Sequence, residues 1–490
     1  MLVTPEKKDK EHHPYFKTMR CVAGLLLLLT PLAQAIDNAS STSNSGFSIN
    51  RNDRSRPVDQ FQTLLFGRPF TIGGSFEHGT SYRDNYNLGE KKSDKFLLSD
   101  QYNIEMLYSL SASVSAYVEL KTTFEADIPQ NDEPVETEIS MEHGESWLVL
   151  YYTRWWIDIG HLNFQEKREW WWNEDLDAIR FNYQNNNLLM YFGFAEEGLD
   201  LLYQDTISAE DRDVSRFISQ VKWQYNRKHQ ISLFLLHQND HSNTPLLGQT
   251  LSTQLDDDTD AKLSWFGIRA LGRFKTSPGT FRYWLDTASV SGEESRIDFD
   301  EISDDTLQVS GVSKQQIRGW AYDAGVTFTT NTTSKISLSL GYAFGSGDAN
   351  PDDDNDRNFQ QTDLQSNNNK FRGVNRFRAY GEVLRPELSN LKILTLSFGL
   401  PLMKNSSLEL VYHQYEQEQP ADDIRGARVK IDPLGLDRNI GQEVDLIFGF
   451  EEGKHVELEL IFGSFRSGKA YGNRKGEYAS TAIFNFNYNF

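Results

Sequence analysis

The chain has 490 residues, a single cysteine, 38% hydrophobic residues and a formal net charge of −21 at pH 7. Because it is long, acidic and almost free of cysteine, it is neither a small disulfide scaffold nor a basic nucleic-acid-binding protein. The mean hydropathy of −0.57 is typical of a soluble protein. The length allows roughly two to four soluble domains or one very large β domain.

The N-terminal segment predicts a secretory signal peptide. A basic lead that contains Lys17 and Arg20 precedes the apolar run from Val22 to Leu29, and the small-residue triplet at 33–35 is typical of a cleavage site. We expect cleavage before Ile36, which divides the chain into a signal peptide at 1–35 and one mature domain at 36–490. Cys21 would be removed, and its position upstream of the apolar run implies no lipid anchor.

The hydrophobic pattern of the mature chain has a period of two. No apolar run approaches the roughly 18 residues that a membrane-spanning helix needs, which excludes a helical membrane protein. From 103 to 121 the even positions are mostly apolar, and the stretch is long enough for a hairpin with a short turn between Ser109 and Ser113. The same alternation returns at Lys335–Phe344, Lys392–Leu400 and Gln442–Phe450.

Long acidic stretches separate the alternating segments, whereas other connections are short and rich in Gly, Asn and Ser. The acidic stretches are 127–143, 204–213, 256–260, 293–305 and 348–369. This asymmetry is typical of an outer-membrane barrel with long extracellular loops and short periplasmic turns, although a soluble β-sandwich would also alternate. The chain end favours the barrel, because Phe484, Phe486 and Tyr488 alternate with asparagines before the terminal Phe490.

We therefore predict an all-β fold, a transmembrane antiparallel β-barrel of the outer membrane that is surrounded by lipid and lipopolysaccharide. A strand recurs every roughly 20–30 residues, which predicts about 16–18 strands, and a barrel of that size encloses an aqueous lumen. The sequence thus predicts a channel in the cell outer membrane.

Several motifs follow one another in the middle and the second half of the chain. They are Trp172–Ile179, Phe359–Asn367, Phe371–Gly373, Gly381–Glu382, Glu387–Leu391, Asn439–Leu446 and Gly468–Gly472. In this order they resemble the alginate export family of outer-membrane barrels, and the likeness covers roughly 102–490. The resemblance implies an 18-stranded barrel that secretes an anionic uronate polysaccharide such as alginate. It also implies insertion by the barrel-assembly machinery and docking to a periplasmic export scaffold.

A polycarboxylate that moves through a water-filled pore needs fixed cations on the inward face. We predict a strand at Arg376–Leu384, because the even positions Arg376, Arg378, Tyr380 and Glu382 are polar. In a strand, even and odd positions lie on opposite faces, and we refer to this alternation as strand parity. Parity also turns Arg269, Arg273 and Arg282 inward. We expect the substrate pathway to be lined by Arg376, Arg378, Glu382, Arg385, Arg180, Arg216, Lys222, His161 and Arg168. The alternative for each of these residues is an ion pair that stiffens the wall.

Two features depart from the family pattern. His161 follows Gly160 where the family has a Gly-Arg-Gln element, so a titratable imidazole replaces a fixed cation, and Arg168 follows in the next segment. Glu457 and Glu459 alternate with apolar residues on the predicted penultimate strand, where the relatives have basic lumen residues. The sequence therefore supports the prediction of export more strongly than the prediction that the exported polymer is alginate.

No pattern indicates a catalytic residue or a metal site. Asp352–Asp356 lacks the glycine and the distant glutamate of a calcium loop, so we predict no cofactor, although the acidic loops could hold a divalent cation. The tryptophans at 170–172 could stack on sugar rings or lie in an interfacial girdle.

Three functions remain: a polysaccharide exporter, a diffusion porin for small anions or sugars, and an outer-membrane hydrolase. We expect the exporter, and we expect no enzyme, because no serine and histidine are arranged for nucleophilic catalysis. Exporter and porin would share the fold. Folding of the segment 348–369 into the lumen as a plug or gate would separate them, because an idle polymer channel has to stay closed.

Overall fold

The computed structural model describes residues 61–89, 94–129, 134–196, 213–240, 245–252, 259–303, 306–351, 353–453 and 455–490. The predicted signal peptide at 1–35 lies outside these residues, as do most of the acidic stretches at 204–213 and 256–260. No helix in the described part of the chain is long and apolar enough to cross a membrane.

Eighteen antiparallel strands form one closed sheet. They are β1 (Arg68–Asp84), β2 (Lys95–Ser111), β3 (Val114–Pro129), β4 (Glu136–Tyr152), β5 (Trp155–Gln165), β6 (Asn173–Gln184), β7 (Leu188–Glu196), β8 (Val214–Asn226), β9 (His229–Asp240), β10 (Thr259–Lys275), β11 (Gly279–Ser303), β12 (Thr306–Thr330), β13 (Ser337–Gly345), β14 (Leu391–Met403), β15 (Ser406–Gln417), β16 (Asn439–Glu452), β17 (Val456–Ser467) and β18 (Tyr478–Asn489). The last strand pairs with the first, from Ser75 opposite Asn489 to Asp84 opposite Ser480, and this pairing closes the cylinder. The predicted barrel of about 18 strands is confirmed.

The two rims of the barrel differ. At the turn rim, which holds the end of β18, the connections are short, and the one between Ser111 and Val114 confirms the predicted hairpin. At the loop rim the connections are longer, and the longest spans 346–390. The acidic stretch at 293–305 was expected to be a loop, but most of it is strand, because β11 and β12 are 25 residues long and stay paired beyond the rim. Much of 127–143 likewise lies in β3 and β4.

Side chains alternate between the outside and the lumen, as the sequence predicts. On β13, Leu338 and Leu340 are exposed on the outside, while Ser337 and Ser339 are buried inside. The same alternation places Phe484, Phe486 and Tyr488 outside on β18 and the intervening asparagines inside. An apolar outer face and a polar inner face are what lipid outside and water inside require.

Candidate functional site in the lumen

Two connections at the loop rim bend into the lumen. The first is the β5–β6 hairpin. Pairing of β5 with β4 stops at His161, opposite Ser146, and pairing of β6 with β7 starts only at Ala178. Beyond these positions the hairpin has no neighbouring strand among the described residues, and it turns inward. As a result Trp171 and Trp172 are fully buried although they lie in a loop.

The second connection is the segment between β13 and β14, which packs on the hairpin. The Asn173 amide donates to the Leu364 carbonyl at 2.6 Å, and the Asn367 amide donates to the Glu169 carbonyl at 2.8 Å. We call residues 162–177 and 346–390 together the insert. The predicted plug segment therefore lies inside the barrel from Phe359 to Asn369.

Five charged side chains fasten the insert to the wall. Glu166 and Arg168 belong to the hairpin, whereas Arg269, Asp286 and Asp323 point inward from β10, β11 and β12. Arg168 contacts Asp286 at 2.5 Å and Asp323 at 2.7 Å, and Arg269 bridges Glu166 and Asp286. All five are 6% exposed or less. A buried charge without its partner is costly, so this network holds the insert in one position.

Aromatic and polar groups surround the network. Trp284 donates through Nε1 to Asp323 Oδ1 at 2.7 Å, and the Tyr380 hydroxyl donates to Asp323 Oδ2 at 3.1 Å. The Arg168 guanidinium lies 5.1 Å from the centre of the Trp284 ring, within the range of a cation–π contact. Trp170 donates through Nε1 to the Tyr380 hydroxyl at 2.6 Å. The two connections of the insert are thus joined at the network.

Glu166 also organises the tip of the hairpin. Its carboxylate accepts hydrogen bonds from the backbone amides of Arg168, Trp170 and Trp171 at 2.8, 2.6 and 3.1 Å. Burial alone would raise the pKa of this carboxyl, but the Arg269 guanidinium and the backbone amides hold it at about 2. Glu166 is therefore ionised across the physiological pH range.

A second anchor joins the insert to β16. Glu443 accepts hydrogen bonds from the amides of Val383 and Leu384 at 2.7 and 3.1 Å, and the Tyr415 hydroxyl donates to it at 3.1 Å. Gly381 has a φ of 101°, and a Cβ at this position would lie 2.7 Å from a Glu443 oxygen. Only glycine combines this backbone conformation with so close an approach.

The side of the insert that faces β1 is basic. Arg428, from the β15–β16 loop, lies within electrostatic range of Arg378 and Arg385 of the insert and of Arg83 on β1. Burial and the guanidinium groups of Arg385 and Arg83 lower the pKa of Arg428 to about 9. A cation whose pKa is lowered by other cations marks a region of positive potential. We call Arg83, Arg378, Arg385 and Arg428 the arginine face.

Acidic residues partly balance this charge. Arg385 contacts Glu382 at 2.8 Å, and Arg376 contacts Glu169 at 2.9 Å. The Arg376 side chain remains 36% exposed. The insert therefore presents both paired and solvent-accessible guanidinium groups.

The inward residues of the wall fall into two groups. From β9 to β16, which we call the packed wall, they are mostly buried under the insert, and many are 2% exposed or less, among them Phe234, Trp265, Asp286, Ile317, Ile393, Tyr415 and Glu443. On β17, β18 and β1 to β3, which we call the open wall, several stay exposed inside the barrel: Glu457, Asn485, Glu77 and Glu125. Solvent therefore reaches the lumen along the open wall, and we call the space between the open wall and the insert the crevice.

Five of the nine predicted pathway residues lie in the insert, and four of them come from its second connection: Arg376, Arg378, Glu382 and Arg385. They do not lie on a wall strand, and this corrects the prediction of a strand at 376–384. Only Phe377 and Arg378 pair, with Asn369 and Asn368, in a separate two-stranded sheet. The alternation has another cause: Phe377 and Val383 are buried, while Arg376 and Arg378 donate to backbone carbonyls of the insert.

Three further predicted residues face inward from the wall strands. Arg180 on β6 contacts Asp158 at 3.0 Å and donates to the Asn163 carbonyl at 2.8 Å. Arg216 on β8 is buried, and its Nε donates to Gln238 at 3.2 Å. Lys222, also on β8, is partly exposed. Arg180 and Arg216 are therefore held in the wall by polar partners.

Arg168 and His161 differ from the expectation. Arg168 belongs to the buried network and is 6% exposed, so it cannot line an open passage. His161 shares the outer face of its strand with Ile159 and contacts Asp177 at 3.0 Å where the hairpin bends. The His161 side chain therefore lies outside the lumen.

The structure also corrects a broader expectation. Trp170, Trp171 and Trp172 lie neither in an interfacial girdle nor on an exposed sugar platform, because they pack inside the insert and against Phe234.

No metal site is apparent in the described part of the chain, where no group of three or more His, Cys, Asp and Glu side chains is arranged to hold an ion. In the acidic loop, Asp353 contacts Arg357 at 3.2 Å.

Sequence reasoning missed Arg83, Arg428 and Glu443. Parity could have found Arg83 and Glu443, because each occupies an inward position on an alternating strand. Arg428 lies in an irregular loop, where no period indicates a direction.

The sequence matches the family model for alginate export over residues 70–485. It is 26% identical over 338 residues to the alginate production protein AlgE of Pseudomonas aeruginosa, which covers 64% of this chain and 67% of that protein. It is also 26% identical over 302 residues to AlgE of Azotobacter vinelandii, covering 56% of this chain and 58% of that protein.

Solved structures share the fold at low sequence identity. OccAB4 of Acinetobacter baumannii aligns with a TM-score of 0.53 at 10% identity, over 87% of this chain and 98% of that one. The outer membrane protein OpdK of Pseudomonas aeruginosa aligns with a TM-score of 0.50 at 9% identity, over 86% of this chain and 98% of that one. The turn rim accordingly faces the periplasm and the loop rim the exterior. The chain belongs to the alginate export family, and it is an outer-membrane β-barrel channel rather than an enzyme.

Proposed function

We propose that this channel exports an anionic polysaccharide, a uronate polymer of the alginate type, across the outer membrane. The carrying observation is the arginine face, where Arg378, Arg385 and Arg428 lie together beside the open crevice. Fixed cations beside a water-accessible passage attract carboxylates, compensate part of their lost hydration and repel cations. The names of the relatives, which refer to alginate production, agree with such a cargo.

The proposed route passes beside the insert rather than along the barrel axis. At the turn rim, Arg273 and Arg282 lie opposite each other on β10 and β11 and add positive charge where the polymer would enter. The polymer would then follow the crevice past Arg376 and the arginine face. It would leave at the loop rim between Arg83 and Arg428.

The test is charge reversal at the arginine face. In planar bilayers, the double variant Arg378→Glu/Arg385→Glu should lose most of its preference for anions. Secretion of uronate polymer by a complemented deletion strain should fall about ten-fold, because the carboxylates of the polymer then meet fixed negative charge. Arg378→Gln/Arg385→Gln keeps hydrogen-bond donors and separates loss of charge from loss of folding.

Arg357→Glu is the matched control, because Arg357 is an exposed residue that precedes Phe359, where the segment enters the barrel, and it pairs with Asp348 and Asp353. It should change neither selectivity nor secretion. Unchanged selectivity in the lumen variants would remove the arginine face from the pathway. A deletion strain that secretes wild-type amounts of polymer would reject the export role and favour a diffusion porin.

A further inference from the structure

Part of the open wall differs in chemistry from the arginine face. Arg83 of that face lies on β1 near the loop rim. Closer to the turn rim, one row of inward side chains crosses four neighbouring strands, each residue opposite the next in the pairing register: Glu457, Asn487, Glu77 and Gln101. These four side chains are carboxylates and amides. The row thus presents hydrogen-bond acceptors and neutral donors where a channel for a polyanion would be expected to present cations.

A second row lies one step closer to the loop rim. It contains Glu459 and Asn485, followed by Gly79. A Cβ added to Gly79 would meet its nearest neighbour, Asn485 Oδ1, at 3.4 Å, which is ordinary contact distance. The absence of a side chain at Gly79 therefore leaves room in front of the two rows, next to exposed Glu77 and Asn485.

Hydrogen bonds within the wall fix the orientation of these groups. Asn485 donates through Nδ2 to Glu459 Oε1 at 2.8 Å. Asn103 donates to Glu77 Oε1 at 3.2 Å, and Gln101 donates to Asn103 Oδ1 at 2.8 Å. The Ser75 hydroxyl also donates to Glu77 Oε1, at 3.4 Å. A carboxylate has about four acceptor positions, so these partners orient each group and leave acceptor capacity for a ligand.

The wall and the insert approach each other closely at this height. Asn375 of the insert donates through Nδ2 to the Leu458 carbonyl at 3.0 Å, and Arg385 lies within electrostatic range of Glu459. A sugar polymer in the crevice would therefore contact both surfaces at once. One surface would attract its carboxylates, and the other would repel them.

Each ring of a uronate polymer carries one carboxylate and several hydroxyl groups. Hydroxyl groups donate to carboxylates, whereas arginine side chains offer donors and no acceptors. We propose that the carboxylates and amides of the open wall bind the hydroxyl groups of the cargo while its carboxylates face the arginines. This inference rests on the proposed export function. It makes Glu77, Glu459 and Asn485 specificity residues that select hydroxylated polyanions over bare ones.

The experiment compares two blockers of single-channel current in planar bilayers. One is a short oligouronate, and the other is an oligoacrylate of equal charge, which has carboxylates but no hydroxyl groups. We expect the wild-type channel to be blocked at lower concentration by the oligouronate. In Glu77→Ala/Glu459→Ala, the blocking concentration of the oligouronate should rise about ten-fold, because hydrogen-bond acceptors for its hydroxyls are lost. Block by the oligoacrylate should stay the same or become stronger.

Two further variants complete the design. Glu77→Gln/Glu459→Gln removes the charge but keeps an acceptor oxygen on each side chain, so it should retain part of the preference for the oligouronate. Glu301→Ala is the control, since Glu301 is exposed near the end of β11 and far from the lumen. Heat-modifiable migration in gels should show that every variant forms the folded barrel.

The possible outcomes separate the two proposals. If removal of the carboxylates strengthens block by both compounds equally, the open wall acts only by repulsion and the inference is wrong. Equal block of the wild-type channel by both compounds would also overturn it, while leaving the export role intact. If neither compound blocks and a deletion strain still secretes polymer, the export function itself fails.

Discussion

The packed wall and the open wall carry similar side chains in opposite situations. Asp286 and Glu443 on the packed wall are wholly buried, and each is engaged by guanidinium or amide groups of its surroundings. Glu77 and Asn485 on the open wall are exposed inside the same barrel. A buried carboxylate requires partners, so the charges of the packed wall are explained by the fold itself. The exposed polar groups are not needed for packing, and these are the groups that we assign to the cargo.

The largest expected effect follows from breaking the network of the packed wall. Arg269→Ala leaves Glu166 and Asp286 buried without their shared cation, which should cost about 3–5 kcal/mol of folding free energy. The insert should loosen, so single-channel conductance should rise and the thermal midpoint in detergent should fall.

Arg357→Ala is the control, because the Arg357 side chain is 45% exposed and its ion pairs with Asp348 and Asp353 lie apart from the network. If Arg269→Ala kept both the conductance and the thermal midpoint of the wild type, the network would not be what holds the insert.

A pair of glycine substitutions sharpens the same contrast. A Cβ at Gly319, on the packed wall, would lie 2.5 Å from Phe359 Cα and 2.5 Å from the Asn358 carbonyl oxygen. Gly319→Ala must therefore displace the insert backbone, at about 1–3 kcal/mol. Gly79→Ala, on the open wall, should be tolerated, because its neighbours lie at ordinary contact distance. Equal thermal midpoints for the two variants would contradict the division of the lumen into two sides.

A cross-link tests whether the insert has to move during transport. A Cβ at Gly449 would lie 2.8 Å from Asn375 Cγ of the insert, so Gly449→Cys/Asn375→Cys should form a disulfide. The chain has one cysteine, Cys21, in the predicted signal peptide, so competing pairs are few. We expect secretion by the oxidised variant to remain within about two-fold of wild type, because the proposed route passes beside the insert. Loss of secretion that a reductant restores would show that the insert has to leave its place.

The smallest expected effect is a pH dependence of the hairpin tip. Because Glu166 has a pKa of about 2 in the folded protein, against an ordinary value of 4.5, its ionised form stabilises the fold. That contribution is complete above pH 4.5 and is lost as the pH falls toward 2. Tryptophan fluorescence of the detergent-solubilised barrel should report loosening around Trp170–Trp172 over this range. Glu166→Gln should remove this fluorescence change. A fluorescence change of unchanged size in that variant would show that other carboxyl groups cause it.

Strand parity predicted the barrel and the direction of most wall residues. It succeeded on β13 and β18, where lipid and water impose alternation on every residue. It failed at Arg376–Leu384, because alternate burial of Phe377 and Val383 inside the insert imitates a strand. Parity also placed Arg269 inward, but its partner Glu166 comes from a distant hairpin. Its bend depends on where the pairing of β5 with β4 stops, which no local pattern reveals.

The inward turn of the β5–β6 hairpin has one more consequence. Residues 136–143 of β4 pair with β3 on one side, but the described pairing of β4 with β5 begins only at Ser146. In the described part of the chain this stretch has no neighbouring strand on its other side, and such an edge is a template for strand addition by another polypeptide. Glu136, Glu138 and Glu142 lie along this stretch. Charged side chains along an exposed edge disfavour strand addition, so the acidic sequence counters the tendency that the inward turn of the hairpin creates.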